Sequence, residues 1–369
     1  MNKKIHVAVL FGGKSGEHEV SLHSAASVIQ AMDPSSFEVL PILINRDGGW
    51  ESGKKALPAL DGKMEPEQLE NLEKRVSAQN ALPAASGRSF PSLNREDVDA
   101  VFPVLHGTFG EDGTIQGLLE IADIPYVGAG VMASAVGMDK VMMKKIFAQE
   151  GLPQGAFTHY FRSRIERDVD GVVREIEEVF GYPCFVKPAN LGSSVGISKA
   201  KDRSGLAEAL SLAARYDRKI IVEEFIQARE VEVAILGNES PEASVPGEIV
   251  SSGDFYDYRA KYVDGISEMR IPVDLPQETA EKIRRLAIRA FQAIDGTGLA
   301  RVDFFFREKD GQVLINEINT MPGFTPYSMY ANLWEHSGIS YPELVTRLID
   351  LAMERYEEKR KSTTAYELK

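Results

Sequence analysis

The chain has 369 residues, 43% hydrophobic and 26% charged, with Asp+Glu 55 against Lys+Arg 42 for a formal net charge of −13. That length exceeds what one hydrophobic core fills and predicts two or three globular domains. The acidic balance argues against a nucleic-acid surface, no apolar run approaches the ~18 residues of a membrane span, and residues 1–11 are too short and broken for a signal peptide.

Residues 5–11 form a nearly continuous, β-branched apolar run, the pattern of a buried parallel strand. Gly12-Gly-Lys-Ser-Gly16 follows, then a helical pattern over 25–32, so the chain opens with a βα unit. Gly13-Lys14-Ser15 is not a phosphate-binding P-loop, because the required earlier glycine position holds Ala8. His18 and His23 are five apart rather than the four that would put both on one zinc-binding helical face. Phe37–Ile44 reads as a second strand. Residues 46–96, rich in Gly, Pro, Ser, Glu and Lys, carry helical patterning only over 66–78 and read as an elaborated surface insertion.

A third buried strand spans 98–105, ending in His106-Gly; a helix over 114–122 and a short strand at 126–128 follow. Gly128-Ala-Gly130-Val-Met-Ala133 fits G-x-G-x-x-A, but 134–150 reads as one helix where a dinucleotide site needs a strand. Gly151-Leu-Pro153 ends that helix and marks a domain boundary. Next come a strand at 158–162, an amphipathic helix over 168–180, and a strand Cys184-Phe-Val-Lys187. Cys184, the single cysteine, lies in an apolar run and reads as buried core; one thiol suits a reducing cytoplasm. After the loop Gly192-Ser193-Ser194-Val-Gly196 come a return strand from 197, a helix over 206–214, and strands at 219–226 and 230–236. A polar, tyrosine-rich loop covers 251–270, and amphipathic helices cover 276–293 and 341–356.

Three stretches carry candidate chemistry. In Arg301-Val-Asp303-Phe-Phe-Phe306 the period of two places Arg301 and Asp303 on one strand face. Asp310-Gly311 is a turn signal, and the returning strand carries Glu317 and Asn319 on one face. Such a hairpin brings Asp303, Glu317 and Asn319 together, an oxygen donor set suited to Mg²⁺ and hence to a nucleotide's phosphates. The same spacing also describes a solvated hairpin face, although the rigid Met321-Pro-Gly-Phe-Thr-Pro326 that follows weighs against it. The 192–196 loop lies between two strands, where small residues can close over a triphosphate with Lys187 alongside; an ordinary hairpin reads the same way. Glu223-Glu-Phe-Ile226 can offer backbone to an adenine edge and Glu230 can accept from ribose hydroxyls, or the segment is a solvated acidic strand end.

Six motifs in order resemble the D-alanine–D-alanine ligases of the ATP-grasp superfamily over the whole chain apart from residues 46–96. They are Phe11-Gly-Gly-Lys-Ser-Gly-Glu17-His-Glu-Val-Ser21; His106-Gly with Gly110-Glu-Asp-Gly-Thr-Ile-Gln116; and Gly130-Val-Met-Ala-Ser-Ala135 with Met138-Asp-Lys140. The others are Val186-Lys187-Pro188 with the 192–196 loop; Phe255-Tyr-Asp-Tyr-Arg-Ala-Lys261-Tyr262; and Asn316-Glu-Ile-Asn-Thr-Met-Pro-Gly-Phe-Thr325 after Arg301-Val-Asp303.

The resemblance implies an α/β, three-domain ATP-grasp architecture with an N-terminal parallel-sheet (preATP-grasp) domain. The expected domains are 1–135, 136–227 and 228–369, the last carrying the metal site. The implied reaction is ATP-dependent ligation of two D-alanines through a D-alanyl phosphate, for peptidoglycan precursors. It implies that Lys140, Lys187, Ser194, Glu223, Glu224, Ile226, Glu230 and Lys261 hold ATP. At position 224 many relatives have lysine, so a side-chain contact to the base is put in doubt there. Asp303, Glu317 and Asn319 are implied ligands of two Mg²⁺, with Mn²⁺ able to substitute. Glu17 is implied to take the ammonium of the first D-alanine, with His106 near the reacting groups and Tyr262 reaching back toward Ser193 and Glu17. Arg301 and Gly323 are the implied oxyanion hole, and Ser328 the implied partner of the second D-alanine's carboxylate. The expected partners are small molecules and a second copy in a homodimer, with no nucleic acid and no membrane. A D-alanine–D-lactate ligase and a non-catalytic nucleotide-binding regulator are the rival readings.

Overall fold

The structure, a computed structural model, describes residues 3–76, 93, 95–192, 194–250 and 268–363. Three sheets follow one another along the chain. The first has the order β3-β2-β1-β4, from β1 (Ile5–Gly12), β2 (Phe37–Ile44), β3 (Trp50–Ser52) and β4 (Ala100–Pro103). β1 runs parallel to β2 and to β4, and β3 turns back antiparallel at the edge. Val7, Ala8, Val9, Leu10 and Phe11 are all buried, as an unbroken apolar run demands when helices cover both faces. Those helices include α1 (His18–Ala31), α2 (Pro66–Arg75) and α3 (Thr114–Ile121).

Several sequence expectations change here. Helix α1 starts at His18, several residues before its apolar pattern becomes regular. The described part of 46–96 is more than a surface insertion, since Leu57, Leu60, Leu72 and Val76 join the core beside α1. Polar composition hid a few apolar residues spaced three to four apart, enough to anchor a segment. The predicted helix 134–150 is two helices, α4 (Val131–Met138) and α5 (Lys140–Gln149). Asp139 divides them: its carboxylate accepts the amides of Val141 and Met142, so it caps α5 rather than continuing α4. Residues 126–128 form no strand, only a parallel bridge from Tyr126 to Val101.

The second sheet is antiparallel, in the order β5-β8-β6-β7: β5 (Phe157–Phe161), β6 (Cys184–Pro188), β7 (Ser198–Ala200) and β8 (Lys219–Glu224). Between these strands lie α6 (Arg162–Arg167), α7 (Val169–Val179) and α8 (Arg203–Tyr216). Asp168 and Asp202 cap α7 and α8 through the amides of Gly171 and Gly205. Cys184 is fully buried among them, and burial pushes its thiol up to about 11, so it is a core residue as expected.

The third sheet contains β9 (Arg229–Gly237), β10 (Glu242–Ala243), β11 (Gly247–Val250), β12 (Glu268–Arg270), β13 (Gly298–Arg307) and β14 (Gln312–Asn319). Its order is β12-β11-β9-β13-β14, with β10 also on β9. Helix α9 (Gln277–Ala293) packs Ile283, Ala287 and Phe291 against it. Helix α10 (Met329–His336) was not expected. Met329, Tyr330, Leu333 and Trp334 bury it in a core shared with α1 and α11 (Tyr341–Lys359). The start and the end of the chain therefore pack together.

Arg355 on α11 fastens that junction. Its guanidinium donates to the carbonyls of Tyr126 and Gly128 and to the Thr297 hydroxyl, and lies 4.2 Å from the Tyr126 ring centroid. Replacing it would take its donor from the Tyr126 carbonyl and leave the Gly128 carbonyl with the Thr297 hydroxyl at 3.3 Å. Arg355→Leu is expected to lose about 3 kcal/mol of stability, read from the urea midpoint. A change within about 0.5 kcal/mol, typical of an exposed site, would count against this role.

Candidate active site

The β13–β14 hairpin forms as the sequence pattern requires. Asp303 stands opposite Glu317, and Arg301 opposite Asn319, with a bulge just after Asp303. On its other side Asp303 is in register with Glu232 of β9. Glu232, Asp303 and Glu317 thus make a row of three acids across the sheet. Like charges directly opposite repel, so cations must sit among them. Arg301 donates through Nε and Nη2 to the two oxygens of Asp303, each at 2.7 Å, and its Nε is 2.8 Å from Glu232 Oε2. Burial pushes the guanidinium pKa down, but Asp303 and Glu232 outweigh it and hold the charge firmly. Lys140, at the first position of α5, reaches Glu317 at 3.4 Å and the Leu191 carbonyl at 3.2 Å. Asn319 Nδ2 donates to Asp303 Oδ2 at 3.0 Å.

These acids form one wall of a cleft of about 390 Å³ between the second and third sheets. That volume is within the range of ligand pockets, ~300–1,000 Å³. The opposite wall carries Lys187, Ser194, Glu223, Glu224 and Ile226, with Glu230 at the start of β9. Phe185, Ile197, Phe304 and Ile315 supply apolar surface between the charges. Glu223 is held by two lysines, Lys144 at 2.8 Å and Lys187 at 2.5 Å. Burial raises its pKa, but the lysines prevail and bring the carboxyl down to about 2. Burial likewise lowers Lys187, and Glu223 and Glu317 more than reverse the effect. The Glu224 carboxylate accepts the Ala156 amide at 2.6 Å, so its side chain is tied to the protein's own backbone. Ser194 holds a positive φ of 58°, a loop conformation rather than a strand one.

A second group gathers at the end of the first sheet. A side chain on Gly107 would come within 2.6 Å of Glu17 Oε2, and one on Gly192 within 3.0 Å. The two glycines therefore let the His106 turn and the 192–196 loop close upon that carboxylate. The Ser15 hydroxyl donates to the His106 carbonyl at 2.7 Å and accepts the Glu17 amide at 3.2 Å. His106 is buried: Nδ1 lies 3.1 Å from the Met321 carbonyl and Nε2 3.1 Å from the Ser24 hydroxyl. Burial lowers its pKa, with Glu17 pulling the other way, and the neutral ring results. A carbonyl only accepts, so Nδ1 carries the proton and Nε2 accepts from Ser24. Ser24 Oγ also accepts the Phe324 amide at 3.3 Å. Beyond it Gly323 lies against Ser328, whose hydroxyl accepts the Thr325 amide at 3.0 Å and meets the Thr325 hydroxyl at 2.8 Å.

Ser193, Lys261 and Tyr262, together with most of the 251–270 loop, lie outside the described residues. Three groups at the site escaped the sequence reading. Lys144 stands one helical turn after Lys140, a spacing that does predict a shared face. Glu232 lies two residues after Glu230 on β9, but only the strand register reveals its place opposite Asp303. Glu111, within a motif already singled out, accepts the Gly107 amide at 2.7 Å close to Glu17. Nothing local in the sequence distinguishes it from a solvated acid.

The donors suit a metal and a phosphate. Asp303, Glu317 and Asn319 offer two carboxylates and an amide, hard oxygen donors of the kind Mg²⁺ takes, and Lys140 and Lys187 are cations of the kind phosphate takes. No cluster of three or more His, Cys, Asp or Glu able to hold a metal occurs among the described residues, consistent with Arg301 occupying two of the acids in the row.

A cleft clasped between two antiparallel sheets, beside a parallel-sheet N-terminal unit, is the ATP-grasp architecture. The solved D-alanine–D-alanine ligase from Coxiella burnetii superposes with a TM-score of 0.80 at 36% identity, covering 97% of this chain and 96% of that one. The VanG D-Ala:D-Ser ligase from Enterococcus faecalis does so at 0.79 and 34%, covering 95% and 100%. Family models described as D-ala D-ala ligase N-terminus and C-terminus match residues 6–129 and 146–350. The chain is 53% identical to the D-alanine–D-alanine ligase of Acetivibrio thermocellus over 372 residues, covering 97% of this chain and 98% of the relative. It is also 53% identical to that of Geobacillus kaustophilus over 369 residues, covering 98% of each. The chain belongs to the D-alanine–D-alanine ligase family. That family is ATP-dependent and generally requires Mg²⁺.

Burial, reinforced by Glu17, raises the Glu111 carboxyl from 4.5 to about 8, although the Gly107 amide pulls it back. The folded state therefore keeps a proton that the unfolded chain releases, and stability falls as pH rises through that interval. Glu111→Gln keeps an acceptor for Gly107 and removes the titration. Relative to wild type it should gain on the order of 2 kcal/mol between pH 5 and pH 8.5 in urea unfolding. Parallel stability curves for the two proteins would overturn the assignment.

Proposed function

We propose that this protein joins two D-alanines into D-alanyl-D-alanine, with ATP converted to ADP and phosphate, for peptidoglycan precursor synthesis. The observation that carries the reading is the junction of two sites. The lysine- and acid-walled cleft lies close to Glu17, on which Gly107 and Gly192 close: Glu111, beside Glu17, feels the charges of Lys140 and Glu317. In the reading, the first D-alanine's carboxylate takes the γ-phosphoryl group to give D-alanyl phosphate, which the second D-alanine's amine then attacks.

Each residue has a part in that sequence. Lys140 and Lys187 neutralise phosphate oxygens, which requires each to turn from its present carboxylate partner. Ile226 and the adjoining backbone of β8 meet the adenine edge, Glu223 its amino group, and Glu230 the ribose. Ser194 offers its loop amide to phosphate. Asp303, Glu317 and Asn319 are the residues that would hold magnesium, in our reading two ions, which when bound offset charge on the transferred phosphoryl group. Glu17 pairs with the first D-alanine's ammonium. His106, neutral and fixed at both nitrogens, positions the turn that closes over it. Arg301 and the Gly323 amide face the oxyanion of the tetrahedral intermediate, and Ser328 the second carboxylate. An acyl phosphate hydrolyses readily, so water must be kept out, a task we assign to the 192–196 and 251–270 loops, with Lys261, and Tyr262 joined to Ser193.

The reading includes domains 1–135, 136–227 and 228–369, supported by one sheet within each. It also includes a cytoplasmic location and a homodimer. A single buried cysteine and the absence, among the described residues, of a helix long and apolar enough to cross a membrane agree with the location. The dipeptide product is preferred over a D-lactate ester because relatives at 52–53% identity bear the name D-alanine–D-alanine ligase.

Purified protein should release ADP with D-alanine and not with L-alanine. Glu317→Ala should lower that release at least about a hundredfold while unfolding normally. Turnover close to wild type in the variant, with unchanged magnesium dependence, would remove Glu317 from the metal site.

A further inference from the structure

Glu223 has one lysine for each oxygen. Lys144 Nζ, from α5, meets Oε1 at 2.8 Å, and Lys187 Nζ, from β6, meets Oε2 at 2.5 Å. The two lysines differ in freedom. Lys187 stands on the strand beside β8, lines the open cleft, and also feels the charges of Glu317 and Glu230. Lys144 reaches the same cleft but is more deeply buried, at 3% exposed; it lies 6.0 Å from the centroid of the Phe157 ring and belongs to a helix fixed at its start by Asp139. One cation is therefore able to turn toward a ligand and the other is held in place.

A buried carboxylate that loses its partner costs far more than one that keeps it. If Lys187 turned to a phosphate and Glu223 had no other cation, the gain at the phosphate would be offset at the carboxylate. Lys144 removes that conflict. It also leaves Oε2, the oxygen Lys187 vacates, to accept from a donor in the cleft.

We propose that Lys144 is a positioning residue for nucleotide binding: it keeps Glu223 charged and aimed into the cleft when Lys187 transfers to the nucleotide's phosphates. The inference rests on the reading of the cleft as an adenine-nucleotide site. It assigns Lys144 no contact with substrate.

The test compares two ligands by calorimetry with no D-alanine present. Adenosine lacks phosphate and lets Lys187 stay on Glu223; Mg·ATP draws it away. Lys144→Met should weaken Mg·ATP binding about tenfold or more, the effect of stranding one buried charge, while adenosine binding changes less than about twofold. Lys144→Arg, which restores the cation, should recover most of the loss. Equal weakening of both ligands, or of neither, overturns the proposal. A second arm uses the Glu223→Gln background, where no charge remains to be held. There Lys144→Met should leave Mg·ATP affinity within about twofold, and a further tenfold loss would make Lys144 a general structural support instead. This arm also decides the question if Lys144→Met alone does not fold. Failure of the wild type to bind Mg·ATP would sink the nucleotide reading itself, an outcome separate from the comparison of variants.

Discussion

Everything at the site depends on one feature of strand register: Glu232, Asp303 and Glu317 lie side by side on three adjacent strands. A sheet brings directly opposed side chains within about 5 Å, so three acids in one row repel unless cations are interposed. Arg301 is two residues from Asp303 on the same face and supplies one such cation. Lys140, arriving from a helix of a different part of the chain, supplies another. The sheet thus fixes the acids, and the acids in turn fix where α5 must end up. That is why Asp139, which sets the start of α5 and is paired with Lys219 of β8, matters to a cleft it does not line.

Coupling between the cleft and the pocket around Glu17 runs through packing. The segment after β14 carries Met321 and Phe324 into contact with His106, in the loop after β4, and Ser24, on α1. The Phe324 ring packs against Phe102, Tyr330 and Tyr341, so the same residue joins the parallel sheet to α10 and α11. Movement of the acid-bearing hairpin relative to Glu17 would have to break a close-packed aromatic cluster. Such clusters resist small displacements. The distance between the acid row and Glu17 is therefore set by the core, which in the proposed reading serves proximity in a two-substrate reaction.

Much of this was legible in the residues. Alternation in 301–306 and 312–319, with Asp310-Gly311 between, specified the hairpin and which residues share its face. The unbroken apolar run at residues 7–11 specified a buried parallel strand. What failed had physical causes. Helical pattern was assigned across Asp139, because an aspartate inside an apolar period is hard to distinguish from a cap. Residues 46–76 read as surface because six core residues are dispersed among polar ones. Helix α10 follows a proline-rich loop and is only two turns long, too short for its period to stand out. Glu232 was missed because pairing across strands is a property of the fold, not of spacing; the i+4 spacing from Lys140 does place Lys144 on the same helix face, but only the fold reveals Glu223 as its partner.

The charge pattern of the cleft has a further consequence for binding energetics. Each ionised group that a nucleotide and its metal would claim already has a partner in the free protein, and several have two: Glu223 has Lys144 and Lys187, Arg301 has Asp303 and Glu232, Lys140 has Glu317 and the Leu191 carbonyl. Ligand binding in such a cleft exchanges ion pairs rather than creating them from hydrated charges. The desolvation cost that makes new buried ion pairs weak is largely met during folding. The same arrangement holds the cleft's shape without ligand, and at Glu223 a turning Lys187 leaves behind Lys144. A site built from single pairs would have to choose between being stable empty and binding tightly when filled; doubled partners allow both.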